Sequence, residues 1–112
     1  IELFNAGAAA QDIGGWYIVD EGYDGPGDTA HRYDFPAATM IGPGEFLVLT
    51  KGVEHPFGVG GGDTITLYRA DDTVADRADW GSGDADGSYC RVPDGTGDFM
   101  VGSSATFGST NG

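Results

Sequence analysis

Carboxylates are the most abundant chemistry-bearing groups in this chain. Asp84-Ala85-Asp86-Gly87 alternates oxygen donors ahead of a glycine turn, as the first half of many calcium loops does. Calcium takes about 6–8 oxygens, which carboxylates on loops supply readily. The EF-hand pattern is incomplete here, with no third ligand two residues on and no distal glutamate. Asp20, Asp24 and Asp28 form a second candidate calcium cluster. The plainer reading is preferred for both: Asp bonds its own backbone in turns, and the charge keeps the chain in solution.

The remaining reactive side chains are few. His31 and His55 are the only histidines, which excludes a zinc site built from several of them, and no H-x-x-x-H or C-x-x-C spacing occurs. His31 sits in a strand-like run and reads as a packed or edge residue. Cys90 is the only cysteine, so no disulfide forms within the chain. A buried inert thiol is its default, because the adjacent Arg91 points to the opposite strand face. Ser103-Ser104 lacks the G-x-S-x-G elbow of a hydrolase. The Gly58–Gly62 run is followed by neither Lys-Ser/Thr nor a helix, so it is not a phosphate loop. With no nucleophile–base pair to propose, an enzyme is not expected.

A chain of 112 residues allows one domain with one modest core. The chain is 39% hydrophobic and 12% aromatic, and its 21 glycines and 5 prolines lie between short apolar runs. That is the composition of a turn-rich all-β protein. No stretch approaches the ~20 apolar residues of a membrane helix. Eighteen acids against five bases give a net charge of −13, which repels phosphate backbones, so no nucleic-acid partner is expected. The acidity suits a high-salt or calcium-rich setting, or solubility alone.

In chain order, Ile1–Asn5 alternates and predicts a strand with Ile1 and Leu3 inward. Ala6 to Asp12 reads as a connection. Trp16–Val19 is the next strand, followed by the acidic loop Asp20–Thr29 and a strand over His31–Phe35 ended by Pro36. Pro43-Gly44 suits the middle of a type II turn. Phe46–Leu49 is apolar on both faces and is expected to be the central strand. Ser88–Val92 and Asp98–Val101 complete about eight strands, the spacing of a β-sandwich. Residues 1–102 form the sandwich, and 103–112 read as a polar tail or linker.

The longest hairpin, 63–80, organises the rest. Thr64, Thr66 and Tyr68 alternate with Ile65 and Leu67, Ala70–Thr73 turns, and the return strand places Val74, Asp76, Ala78 and Trp80 on one inward face. A carboxylate there needs hydrogen-bond partners, so Asp76 is expected to be a buried structural staple. Trp16, Tyr17, Trp80 and Tyr89 read as core aromatics in preference to a sugar-stacking platform.

Taken in order, IELFN, GGWYIVD, YDFP and IGPGEFLVL resemble the first half of the lamin tail domain. GGGDTITLYRADDTVADRADW is similar to that family's central hairpin, and SYCRVPDGTGDF resembles the ending of its bacterial members. The resemblance implies an immunoglobulin-like β-sandwich. The family's strand ahead of the IELFN position is missing, so Ile1 reads as an internal boundary of a longer protein. An antibody-type domain, which Trp16 and Tyr89-Cys90 superficially suggest, would need a second cysteine. The resemblance implies no catalytic residues and no cofactor. It implies an extracellular or cell-surface interaction module of a larger exported protein. Such a module would bind protein or surface partners, or neighbouring domains, and position an adjoining hydrolase. The alternative is a calcium-dependent or glycan-binding accessory module.

Overall fold

Period-2 alternation and glycine-rich turns yield ten short strands and no helix among the described residues of the computed structural model. Residues 1–58 and 63–81 are described with their side chains, and 88–92 and 98–102 as backbone strands. The strands are β1 (Glu2–Phe4), β2 (Gln11–Asp12), β3 (Tyr17–Val19), β4 (Arg32–Asp34) and β5 (Met40–Ile41). They continue as β6 (Phe46–Val48), β7 (Asp63–Tyr68), β8 (Val74–Trp80), β9 (Ser88–Val92) and β10 (Asp98–Gly102). The pairings among these strands are antiparallel: a four-stranded sheet in the order β4-β3-β7-β8, and the pairs β1-β6, β2-β5 and β10-β9. The architecture is the all-β sandwich that the strand spacing predicts, of the immunoglobulin-like kind that the resemblance implies.

Each of the eight expected strands is present, and the structure adds β2 and β5. Gln11 pairs with Ile41 and Asp12 with Met40, so the stretch 6–12, expected to be a plain connection, ends in a two-residue ladder. Nothing in QD signals a strand, because two residues carry no period.

The expected central strand is corrected. Among the described residues β6 pairs only with β1 and is half-buried, whereas β3 lies between β4 and β7 and is buried at every position. Ile18 sits opposite Tyr33 on one side and Leu67 on the other, all facing the core. Tyr17 and Val19 take the other face and are nevertheless only 7% and 4% exposed. An apolar run marks double burial only where both faces find cover, and β6 finds it on fewer sides than its composition suggests.

The core gathers Ile13, Ile18, Phe35, Ile41, Leu49, Phe57 and Ile65. Ile1, Leu3 and Leu47 pack on it from the β1-β6 layer, and Trp16, Tyr33, Leu67 and Trp80 from the four-stranded sheet and its approach. The β1-β6 ladder runs on past its strands through a bond from Leu49 N–H to the Ile1 carbonyl at 2.7 Å. At its far end Asn5 ties the layer down. Its Nδ2 donates to the carbonyls of Ala9 (2.9 Å) and Ile41 (2.8 Å), and its Oδ1 accepts from Gly7 N–H (2.9 Å). Gly42–Glu45 is the expected turn: Glu45 N–H reaches the Gly42 carbonyl at 3.0 Å, and Gly44, at φ +71°, holds the left-handed position that type II requires.

The hairpin corrects the reading of Asp76. Leu67 pairs with Asp76 but Tyr68 pairs with Val74, so Ala75 is an extra residue in a β-bulge. The bulge moves Val74 to the outer face, where it is 52% exposed. Asp76 keeps the core-facing register, yet it lies at the sheet's margin and is exposed, accepting a bond from Arg77 N–H at 2.8 Å. A solvated carboxylate does not incur the burial cost that the staple argument assumed.

Ile18 is the most completely buried hydrophobic side chain among the described residues, at 1% exposure. Ile18→Ala is expected to cost about 2–5 kcal/mol in urea unfolding, from lost transfer energy plus a cavity. Val53→Ala, at a site 77% exposed, should stay within about 0.5 kcal/mol of wild type.

Candidate functional site

The outer face of the four-stranded sheet gathers a set of bonded polar and aromatic side chains. Strand register brings Asp34, Tyr17 and Tyr68 into one row and Arg32, Val19 and Thr66 into the next. The Tyr17 and Tyr68 rings stack at 4.9 Å with 17° between planes. The Arg32 guanidinium lies 3.8 Å from the Tyr17 ring centroid, a cation–π contact. Its Nε and Nη2 donate to Asp34 Oδ1 (3.0 and 2.8 Å), and its Nη1 donates to the Tyr23 hydroxyl (2.8 Å). Those bonds, led by the one to Asp34, raise the guanidinium pKa above its already high ordinary value. Arg32 is thereby committed to holding the face together, and an incoming anion would have to displace Asp34.

Tyr17 is fixed from the hairpin turn. Arg69 N–H donates to the Thr73 carbonyl (2.8 Å) and Asp72 N–H to the Arg69 carbonyl (3.0 Å), with Asp72 at φ +68°. This is a type I turn closed by a left-handed residue, a place that usually takes glycine or asparagine. Aspartate occupies it because its Oδ1 accepts the Tyr17 hydroxyl at 2.7 Å. Asp71 shapes the same turn, accepting from the Thr73 hydroxyl (2.6 Å) and N–H (3.1 Å), which hold its carboxyl below the usual range. Burial first, and the Asp72 carboxylate second, push the Tyr17 phenol from the usual 10.0 up to about 12.

The acidic loop is built from the same devices. Asp20 accepts from Gly22 N–H at 3.1 Å and lies 2.9 Å from His31 Nδ1. Asp28 accepts from Ala30 N–H (3.1 Å), His31 N–H (3.2 Å) and Asp24 N–H (3.1 Å). The oxygens that calcium would need are thus turned onto backbone donors. Asp20, Asp24 and Asp28 form no converging set, and no group of three or more metal-ligating side chains occurs among the described residues. Asp84 and Asp86 lie outside the described residues.

The other expected sites are placed as follows. Trp16 and Trp80 are half-buried and pack on the core. The side chains of Tyr89 and Cys90, and the stretch 103–112 with Ser103 and Ser104, lie outside the described residues. His31 pairs with Asp20, while His55 is only 3% exposed, its Nδ1 2.7 Å from the Phe57 carbonyl. Tyr17, stacked on Tyr68 and lying under Arg32, offers no open ring for a sugar to lie on.

The buried carboxylate that sequence reasoning placed at Asp76 belongs to Asp63. It is 7% exposed and accepts from Thr64 N–H (2.8 Å) and from Glu21 N–H (3.2 Å), which ties the acidic loop to the start of β7. Strand parity carries the signal, since Asp63 shares the inward face of Ile65 and Leu67. Separately, a cavity of ≈ 210 Å³ lies between β1 and the β7-β8 hairpin, lined by apolar Ile1, Leu3, Ile18, Ile65, Leu67, Ala78 and Trp80 together with Glu2, Asp76 and Arg77.

A family model described as Lamin Tail Domain matches residues 1–82. The match takes in every element around Tyr17 and Asp63 and stops short of SYCRVPDGTGDF. No curated protein and no solved structure matches the chain at a significant level. No described helix is long and apolar enough to cross a membrane.

Two outcomes check the Tyr17 latch. Asp72→Ala should destabilise by about 1–3 kcal/mol, by leaving the buried hydroxyl unpaired and by placing alanine, which tolerates left-handed backbone less well than aspartate, in that position. Asp72→Asn, which keeps an acceptor and tolerates that backbone, should lose less in the same chemical-denaturation series. In alkali, a phenol whose folded pKa exceeds its unfolded one supports the fold fully below about pH 10 and ceases to as pH rises through about 12. Absorbance titration at phenolate wavelengths should show one late-ionising tyrosine that Tyr17→Phe removes.

Proposed function

The chain belongs to the lamin tail domain family, and from that premise we propose that it is a non-catalytic tethering module of a larger exported protein, acting by protein or surface contacts. The family is an immunoglobulin-like interaction fold, and the match over residues 1–82 is the observation that carries the reading. The polar groups of the outer face support it. Arg32, Asp34, Tyr17, Asp72, Asp20 and Asp28 are each bonded to one another or to backbone, and they build a rigid surface. In this role the module holds a neighbouring catalytic domain, a hydrolase, at an extracellular or cell-surface site. The charge of −13 suits contacts with basic protein surfaces and disfavours nucleic acid.

A fluorescent fusion of the chain, incubated with washed cell envelopes of its source organism, should be retained saturably and displaced by the unlabelled domain. Retention no greater than that of the fluorescent protein alone would overturn the tethering role.

A further inference from the structure

In the acidic loop Asp20 and Asp28 turn their oxygens onto donors, and Asp24 does not. Asp20 accepts from Gly22 N–H and lies 2.9 Å from His31 Nδ1, and the oxygens of Asp28 accept from the N–H groups of Asp24, Ala30 and His31. Asp24 is exposed, and its carboxylate accepts no hydrogen bond among the described residues. The amide that follows sets Asp24 apart again. After Asp12, Asp20, Asp34 and Asp72 the next N–H is committed: Ile13 to the Thr39 carbonyl at 2.8 Å, Glu21 to Asp63 at 3.2 Å, Phe35 to the Trp16 carbonyl at 2.9 Å and Thr73 to Asp71 at 3.1 Å. Gly25 N–H donates to nothing among the described residues. Gly25 also sits at φ +115°, and no atom beyond its chain neighbours comes within 4 Å of the place a Cβ would take.

An unengaged carboxyl beside an unbonded, unhindered glycine nitrogen is the arrangement that closes a five-membered imide. The Gly25 nitrogen attacks Asp24 Cγ, a new N–C bond forms and water leaves. A second water then reopens the ring. Breaking the new bond restores aspartate, whereas breaking the original peptide bond to the Asp24 carbonyl carbon gives isoaspartate. The main chain then runs through Cβ and Cγ, and the α-carboxylate becomes the side group. One water is lost and one is gained, and no oxidant or cofactor is needed.

We propose that Asp24-Gly25 is a site of spontaneous covalent modification, isomerising to isoaspartate and thereby loosening the acidic loop. The added main-chain carbon falls between two bonds that hold this turn: Asp24 N–H to Asp28 Oδ2 at 3.1 Å, and Asp28 N–H to the Gly25 carbonyl at 2.8 Å. Asp28 in turn fixes the Ala30 and His31 N–H groups on the approach to β4, so displacing Asp28 releases both. Local opening of this kind is read by amide hydrogen exchange. The site stands independently of the tethering role.

The test ages the full chain in the warm at mildly acidic pH, then digests it and maps the peptides by mass spectrometry. The Asp86-Gly87 and Asp94-Gly95 pairs lie outside the described residues, and the same map resolves them from Asp24. Expected is a peptide of unchanged mass and shifted retention whose fragments place isoaspartate at residue 24. It should form within several-fold of the rate in an unstructured peptide spanning residues 20–29. Asp24→Glu, which would have to close a six-membered ring, should remove it. In the aged chain the Ala30 and His31 amides should exchange several-fold faster than in fresh protein. If residue 24 stays unchanged while the peptide converts, the fold shields it and the proposal is overturned. Isomerisation at Asp20 or Asp28 as fast as at Asp24 overturns the selection, and unaltered exchange at Ala30 and His31 overturns the loosening.

Discussion

Tyr17, Ile18 and Val19 are three consecutive buried residues, an arrangement a strand permits only when both faces of its sheet are covered. The inner cover is the shared core beneath β1 and β6. The outer cover is improvised from side chains: Tyr68 stacks on Tyr17, Arg32 lies over it, and Asp72 reaches across from the hairpin turn. Each of these belongs to a different element, so β4, β7 and the turn after β7 are all held in place by covering one short strand. Three residues of ladder alone would give little, and the cross-strand contacts on both faces supply what the length cannot.

The acidic composition has an architectural use beyond solubility. Asp20, Asp28, Asp63, Asp71 and Asp72 all accept bonds that fix turns or join distant segments. A chain this rich in carboxylates bears self-repulsion in its compact state. Turning carboxylates onto N–H and hydroxyl donors offsets part of that repulsion locally. In the 20–28 loop the same use is plain at Asp28, whose two oxygens accept from three backbone N–H groups.

Much of the fold was legible in the residues. Alternation found all eight longer strands, Pro43-Gly44 found its turn, and the resemblance spanning IELFN to the central hairpin found the family. Three features escaped. β2 and β5 are too short to carry a period. The choice of β3 over β6 as the central strand depends on what lies over each face, which composition does not state. Perfect alternation misplaced Val74, which the bulge turns outward, and parity alone could not tell that Asp76, although in core-facing register, would be exposed.

Local sequence settled what short-range physics governs: strand existence, turn type at glycine and proline, and the acidic field of the whole chain. Tertiary structure alone decided which acid is buried, because Asp63 and Asp76 both occupy core-facing strand positions and differ only in distance from the sheet's margin. It also decided that Tyr17 is covered, since its partners at Arg32, Tyr68 and Asp72 are distant from it along the chain and meet it only once three strands are in register.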